Sequence, residues 1–299
     1  MNAKVASVYL LVVLIWSTTP LGIVWSSETV HPTMAVLLRM LIAVVLGAIV
    51  IIYKKIEVPT HKTALKLYSY SALGIFGGMS SAYMAAQYLP SGIMSLIFGL
   101  APLISGLIAR KILDEPRFSG LRKIALTIAF FGLAVVCSDN LIVAKDNWLG
   151  LIYILAAVIF FSLSGVLVKS VKLDINPLST TIGALTLTLP GFIAVWLIFD
   201  GSLSVEQWQS RAVYSILYLG VFGSLIGFVG YYYILQKLEA STVALVTLMT
   251  PVIAMIFGAV FNQEVITDKI LIGAVLVMLG LGLFLYGDRI NRHISKLRI

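Results

Sequence analysis

Ten times along this chain a run of about 20 residues is almost free of charge, and in the second run a single cation breaks the pattern. Segments near 5–25, 33–53, 66–88, 91–111, 120–138, 148–169, 176–198, 211–236, 241–261 and 269–287 each have the length a helix needs to cross the hydrocarbon core. In hydrocarbon every backbone amide must be paired inside its own segment, so apolar runs of this length form helices. The connections leave no room for a soluble domain: no polar stretch exceeds about a dozen residues, where a small domain needs roughly 50. The sequence therefore specifies an all-α integral membrane protein. Charged residues make up 11% of the chain, against roughly 25% in soluble domains.

Placing the N-terminus in the cytoplasm sorts the 21 Lys and Arg residues. Seventeen fall on the inner side, while Lys145, Arg211 and Lys269 fall outside and Arg39 lies within a span. This is the positive-inside bias, and it predicts ten spans with both termini cytoplasmic, as in a bacterial inner membrane. It also accounts for the net charge of +8 without nucleic acid as a partner. The first apolar run continues to Trp25 with no small-x-small site behind it, so it reads as a spanning helix rather than a cleaved signal. The one cysteine, Cys137, excludes an internal disulfide and a cysteine-based metal site, and nothing in the sequence asks for a metal or a cofactor. Trp25, Trp148, Trp196, Trp208, Tyr53 and Tyr286 fall near helix ends, as interface anchors do. Trp16 differs: it lies about 18 Å along its helix from Lys4, near mid-membrane.

The chain is also internally duplicated. SLIFGLAPLISGLIARKILDEPRF, starting at Ser95, resembles LVTLMTPVIAMIFGAVFNQEVIT, ending at Thr267. Pro102 aligns with Pro251, and Glu115 with Glu264. Gly74 to Gly77 resembles Gly220 to Gly223, Gly132 resembles Gly280, Pro32 aligns with Pro177, and Ser162 to Gly165 lies on Thr19 to Gly22. The units are 1–144 and 145–288, followed by a basic cytoplasmic tail at 289–299. Each unit has five spans, an odd number, so the second enters the membrane upside down. Two inverted five-helix repeats are a signature of alternating-access transporters, with the solute site near the midplane between the halves.

These features resemble the EamA type of drug/metabolite transporter. The resemblance is carried by Leu14 to Ser17, by the Pro32 to Arg39 spacing, and by the block from Pro102 through Leu113, Asp114 and Glu115 to Gly132, which recurs from Pro251 through Asn262, Gln263 and Glu264 to Gly280. It implies a basket of helices 1–4 and 6–9 around a central cavity, with helices 5 and 10 behind, and outward movement of amino acids or other small metabolites. Two positions depart from symmetry: Ser26 stands opposite Lys169, and Ala184 stands opposite Arg39.

Candidate site residues follow from polarity inside the spans. Ser17, Thr19, Ser162 and Gly165 lie on helices 1 and 6, Ser80 and Tyr83 on helix 3, Tyr231 on helix 8 and Thr247 on helix 9. Trp16 and Phe98 would supply aromatic walls. Arg39 is either an anchor held by helix-end carbonyls or a ligand for a substrate carboxylate; a charge in hydrocarbon costs at least about 2.5–3.5 kcal/mol, so it has a task. Pro102 and Pro251 remove matched backbone bonds in helices 4 and 9 and read as hinges. Gly74 with Gly78, and Gly220 with Ser224, permit close helix approach. Glu115 and Glu264 sit at helix ends, where a loop ion pair is the default for Glu115.

Absences narrow the function. All 13 Asp and Glu residues fall in loops or at helix ends, whereas a proton-coupled pump usually needs a carboxylate inside the membrane. The expectation is a facilitator or exchanger of neutral or zwitterionic solutes, with apolar or aromatic amino acids favoured. A proton-coupled drug or nucleotide-type exporter of the same fold is the alternative. An integral-membrane enzyme would need a nucleophile–base pair or a metal set such as HExxH, and the sequence has none. The expected partners are the small-molecule solute and the lipid bilayer, and a homodimer is left open.

Overall fold

The computed structural model describes residues 3–113, 118–143, 147–238, 243 and 246–297. It is all-helical, with no strand among the described residues. Among the described residues, six helical segments are long and apolar enough to cross a membrane: Ala3–Ser26, Pro32–Lys54, Ser91–Ile112, Asn147–Ser170, Pro177–Phe199 and Ser210–Lys237. The chain is a multi-pass membrane protein.

Helix starts and stops have local causes. Helix α1 spans Ala3–Ser26 and α2 spans Pro32–Lys54. Pro32 opens α2, where its missing N–H costs nothing, and Lys55 closes it at φ 50°. His61 caps α3 (Lys62–Leu73), its Nδ1 accepting from the Ala64 N–H at 3.3 Å. Asn176 caps α9 (Pro177–Phe199) through a 2.9 Å bond from the Leu178 N–H, again with Pro at the first position.

Two helices contain wide π turns. The first, Gly74–Gly78, joins α3 to α4 (Met79–Ala85). The second, Leu219–Ile226, joins α10 (Ser210–Tyr218) to α11 (Gly227–Lys237). Glycines in each admit a neighbour. A Cβ on Gly74 would sit 2.6 Å from Ser164, and one on Gly77 2.7 Å from Phe160, both on α8 (Asn147–Ser170). A Cβ on Gly220 would sit 2.7 Å from Ile42 of α2. The Ser164 hydroxyl donates to the Tyr70 carbonyl at 2.7 Å, just before the first wide turn.

The expected span 91–111 is present as Ser91–Ile112, with a turn inside it at Gly99 and Leu100. Helix α5 (Ser91–Phe98) stops before Gly99, and α6 (Ala101–Ile112) begins anew. Pro102 is thus in the first turn of a helix rather than in the middle of one, because only there is the absent N–H unneeded. Pro251 does lie inside its helix, α12 (Val246–Asn262). It packs at the break: a Cβ on Gly99 would lie 3.2 Å from Pro251 Cγ. Two further limits differ from the sequence expectation. Helix α7 spans Gly120–Val143, and α13 spans Asp268–Leu297, so the segment read as a tail continues a helix as far as Leu297.

Packing pairs α7 with α13, α2 with α9, α5 with α12, and α6 with α8. The α7–α13 seam is made by glycine. A Cβ on Gly132 would sit 2.8 Å from the Gly273 carbonyl oxygen, and one on Gly280 2.7 Å from the Ala129 nitrogen. In hydrocarbon, apolar burial drives little association, so such backbone contact is what holds the pair. Gly132→Val or Gly280→Val should lower the unfolding temperature in detergent, through overpacking of about 1–3 kcal/mol or more. Gly282→Ala, which meets nothing within 4 Å, should leave it unchanged. A thermal melt of the three purified variants checks this.

Candidate functional site

Opposite ends of the bundle differ. At one end, here the capped end, chain termini of six helices are tied together. The Trp25 indole N–H donates to Asn262 Oδ1 at 2.8 Å, and Asn262 Nδ2 donates to Glu264 Oε1 at 3.1 Å. Glu264 also accepts from the Ser91 N–H at 2.9 Å, the Ser91 hydroxyl at 2.7 Å and the Gly92 N–H at 3.0 Å. A carboxylate on the first amides of α5 satisfies otherwise orphaned donors and complements the helix dipole. Gly258 has no room for a Cβ beside the Glu264 carboxylate. Nearby, Arg211 pairs with Glu28 at 2.6 Å, the Gln209 N–H donates to Thr29 Oγ1 at 3.0 Å, and His31 Nδ1 lies 4.0 Å from Asp200. At the other, basic end, Ser179 donates to the Glu57 carbonyl at 2.7 Å and Gln236 to the Ile175 carbonyl at 2.8 Å.

A cavity of about 340 Å³ lies inside the helix bundle. Its lining runs from Arg39, Thr19 and Ile23 to Lys169, Leu113, Phe118 and Arg122 at the basic end. Aromatic pairs form its walls: Trp16 with Tyr231 at 5.1 Å between centroids, Phe98 with Phe161 at 5.7 Å, and Phe118 with Phe284 at 5.2 Å. Ser95, Ser105, Ser162 and Thr250 add hydroxyls.

Arg39 is fully buried, with 0% of its surface exposed. It sits about 10 Å below the start of α2 at Pro32. Its Nε donates to Ser224 Oγ at 2.7 Å, in the second wide turn, while Nη1 and Nη2 have no hydrogen-bond partner. A Cβ on Gly223 would lie 3.0 Å from Nη2, so glycine there lets the guanidinium pack against the second wide turn. An unneutralised buried charge costs several kcal/mol, on the order of 3–5 when its partner is removed.

Of the residues expected from sequence, Trp16, Thr19, Arg39, Phe98, Ser162, Gly165 and Tyr231 line the cavity, as does Pro102. Ser17, Ser80, Tyr83 and Pro251 do not. The Ser17 hydroxyl turns back to the Val13 carbonyl at 2.7 Å, the usual local bond of a hydroxyl in a membrane helix. Tyr83 is buried and receives the Ser26 hydroxyl at 3.4 Å. On this helix the lining face is Ser71, Ile75, Met79 and Ala82 instead. The Thr247 side chain and Glu115 lie outside the described residues.

Glu264 is the residue that sequence reasoning undervalued. It is a latch between α12 and α5 rather than a loop charge. The signal was present: Pro90-Ser91-Gly92 opens a helix without an acidic residue of its own to cap it.

The profile of the EamA-like transporter family matches this chain twice, at residues 4–138 and 148–286. An uncharacterized transporter of Archaeoglobus fulgidus is 28% identical over 277 residues, covering 91% of this chain and 95% of the relative. A protein of Escherichia coli named a probable amino-acid metabolite efflux pump is 25% identical, covering 99% of each chain. Among solved structures, one chain superposes with a TM-score of 0.65 at 16% identity, covering 95% of this chain and 98% of that one, which establishes a shared fold.

Glu264→Ala should loosen the capped end by about 1.5–3 kcal/mol, the worth of charge-assisted bonds. With Cys137 replaced by Ser and Ile23 by Cys as reporter, labelling by an impermeant maleimide applied from the capped side should rise. The exposed Glu206→Ala should leave labelling unchanged.

Proposed function

We propose that this chain, which belongs to the EamA-like transporter family, moves small neutral or zwitterionic metabolites outward by alternating access. Amino acids with apolar or aromatic side chains are the favoured solutes. The observation that carries this reading is the asymmetry of the bundle: a cavity reaching the basic end, opposite an end tied shut around Glu264. In the ten-span topology, with both termini cytoplasmic, the basic end faces the cytoplasm of a bacterial inner membrane. The cavity is then loaded from inside, and opening the capped end completes export.

The inverted-repeat arrangement is supported by matched features. Each half carries one wide π turn, at Gly74–Gly78 and Leu219–Ile226. Each half also carries a proline in the matched helix, Pro102 just after an interruption and Pro251 inside a continuous helix that packs on that break. Pro102 and Pro251 are the hinges of this reading, with the α7–α13 pair as a fixed back. The aromatic and hydroxyl lining suits an amino-acid side chain, and the name of the Escherichia coli relative agrees with that class.

No Asp or Glu occurs among the described residues that line the cavity. This favours facilitation or exchange over proton-driven pumping, since a proton carrier needs a titratable group along the path. Purified protein in liposomes preloaded with unlabelled leucine or phenylalanine should accumulate the labelled amino acid by counterflow. No accumulation of any amino acid or small metabolite would reject the transporter reading. An imposed pH gradient should change the initial rate by less than about twofold; strong acceleration would reject facilitation and favour the proton-coupled alternative.

A further inference from the structure

Within the transporter reading, the cavity also says which part of a solute it recognises. We infer that Arg39 is the binding group for a carboxylate, and that the site reads the carboxylate and an apolar body without reading an ammonium group.

Three observations converge on Arg39. First, its guanidinium is completely buried, yet only Nε is bonded, and that bond fixes the plane of the head group against Ser224. Nη1 and Nη2 are left together without partners. A guanidinium offers paired donors spaced to fit the two oxygens of a carboxylate. Second, Gly223 lets Nη2 pack against the second wide turn, where any side chain would crowd it, so the placement of the head group depends on that glycine. Third, Arg39 belongs to the cavity lining, and the surfaces beyond it are Trp16, Phe228 and Tyr231. A carboxylate on Nη1 and Nη2 would neutralise the buried cation while its apolar body filled the aromatic chamber.

The other half of an amino acid has no counterpart there. The charged residues among the described lining are Arg39, Arg122 and Lys169, all basic. An ammonium group finds hydroxyls and aromatic faces but no carboxylate to offset its desolvation. The solute class is therefore an apolar or aromatic monocarboxylate. A free amino acid is one member; an acylated or deaminated amino acid fits at least as well.

Calorimetry on the detergent-purified chain tests this with probes that share one phenyl body. N-acetylphenylalanine carries only the carboxylate, phenylalanine carries both charges, phenylalaninamide carries only the ammonium, and inorganic phosphate is a bare anion. N-acetylphenylalanine should bind at least as tightly as phenylalanine, and the amide roughly tenfold or more weakly. Arg39→Gln should erase the preference for carboxylates. Where that variant does not fold, Gly223→Ala decides: it keeps the charge but crowds Nη2, and should weaken both carboxylates without changing the amide.

Equal binding of amide and carboxylates overturns the inference. So does an unchanged preference in Arg39→Gln, or an equal loss of all three probes in Gly223→Ala. Phosphate competing as well as N-acetylphenylalanine overturns it too, as does no binding of any carboxylate. Lost counterflow with binding intact removes the transport reading and leaves the carboxylate site standing. Flux in Arg39→Gln that keeps its preference for carboxylates removes the site and leaves transport.

Discussion

Hydrocarbon offers no hydrogen bonds, and almost every feature of this molecule is a response to that fact. Backbone groups are paired by making the described apolar spans helical. Where a helix must start afresh inside the bundle, at Ala101, a proline supplies a first turn with one donor fewer. Where a helix begins at the bundle's edge, at Ser91, a carboxylate from another element takes up its donors. Hydroxyls are satisfied by local carbonyls, as at Ser17 and Thr19, or by carbonyls across an interface, as at Ser164. Among the described buried groups without a hydrogen-bond partner, Arg39 is the one that carries a full charge at mid-span. Two of its nitrogens stay unpaired in a setting that penalises this heavily, and that contrast makes it informative.

Packing has a different currency from that of a soluble core. Lipid tails are as apolar as leucine, so helices are held by closeness rather than by removal from water. The seam between α7 and α13 brings backbone to backbone at Gly132, Gly273 and Gly280. Contacts around the cavity are of another kind. Aromatic rings, π turns and a helix break put deformable elements on its walls. Wide turns of this sort recur at functional sites because they loosen the regular ladder. The fold thus separates a stiff back from walls that can rearrange.

Much of this was legible in the sequence. Apolar runs and turn residues located the helices, because length and punctuation are what the bilayer selects. The duplication pointed to Pro102, Ser162 and Gly165, and the polar faces pointed to Tyr231; the structure brings all four to one cavity. Faces were harder. Ser80 and Tyr83 looked like lining because they are polar, but polar groups in a bundle also bury against neighbouring helices, and the apolar Ile75 and Met79 face the space instead. The break at Gly99 was hidden because both halves of that run are equally apolar. The latch at Glu264 was hidden because its partner, Ser91, is 173 residues away in sequence.

Arg39 has an electrical consequence as well as a chemical one. A fixed charge buried between two aqueous compartments feels the membrane potential, at about 2.3 kcal/mol per unit charge for each 100 mV crossed. In the proposed alternating-access cycle, an empty site carries its positive charge through part of that field when access switches sides. A site holding a monocarboxylate carries none. The voltage then acts on the return of the empty carrier and not on the loaded step, and export of a monocarboxylate anion becomes electrogenic.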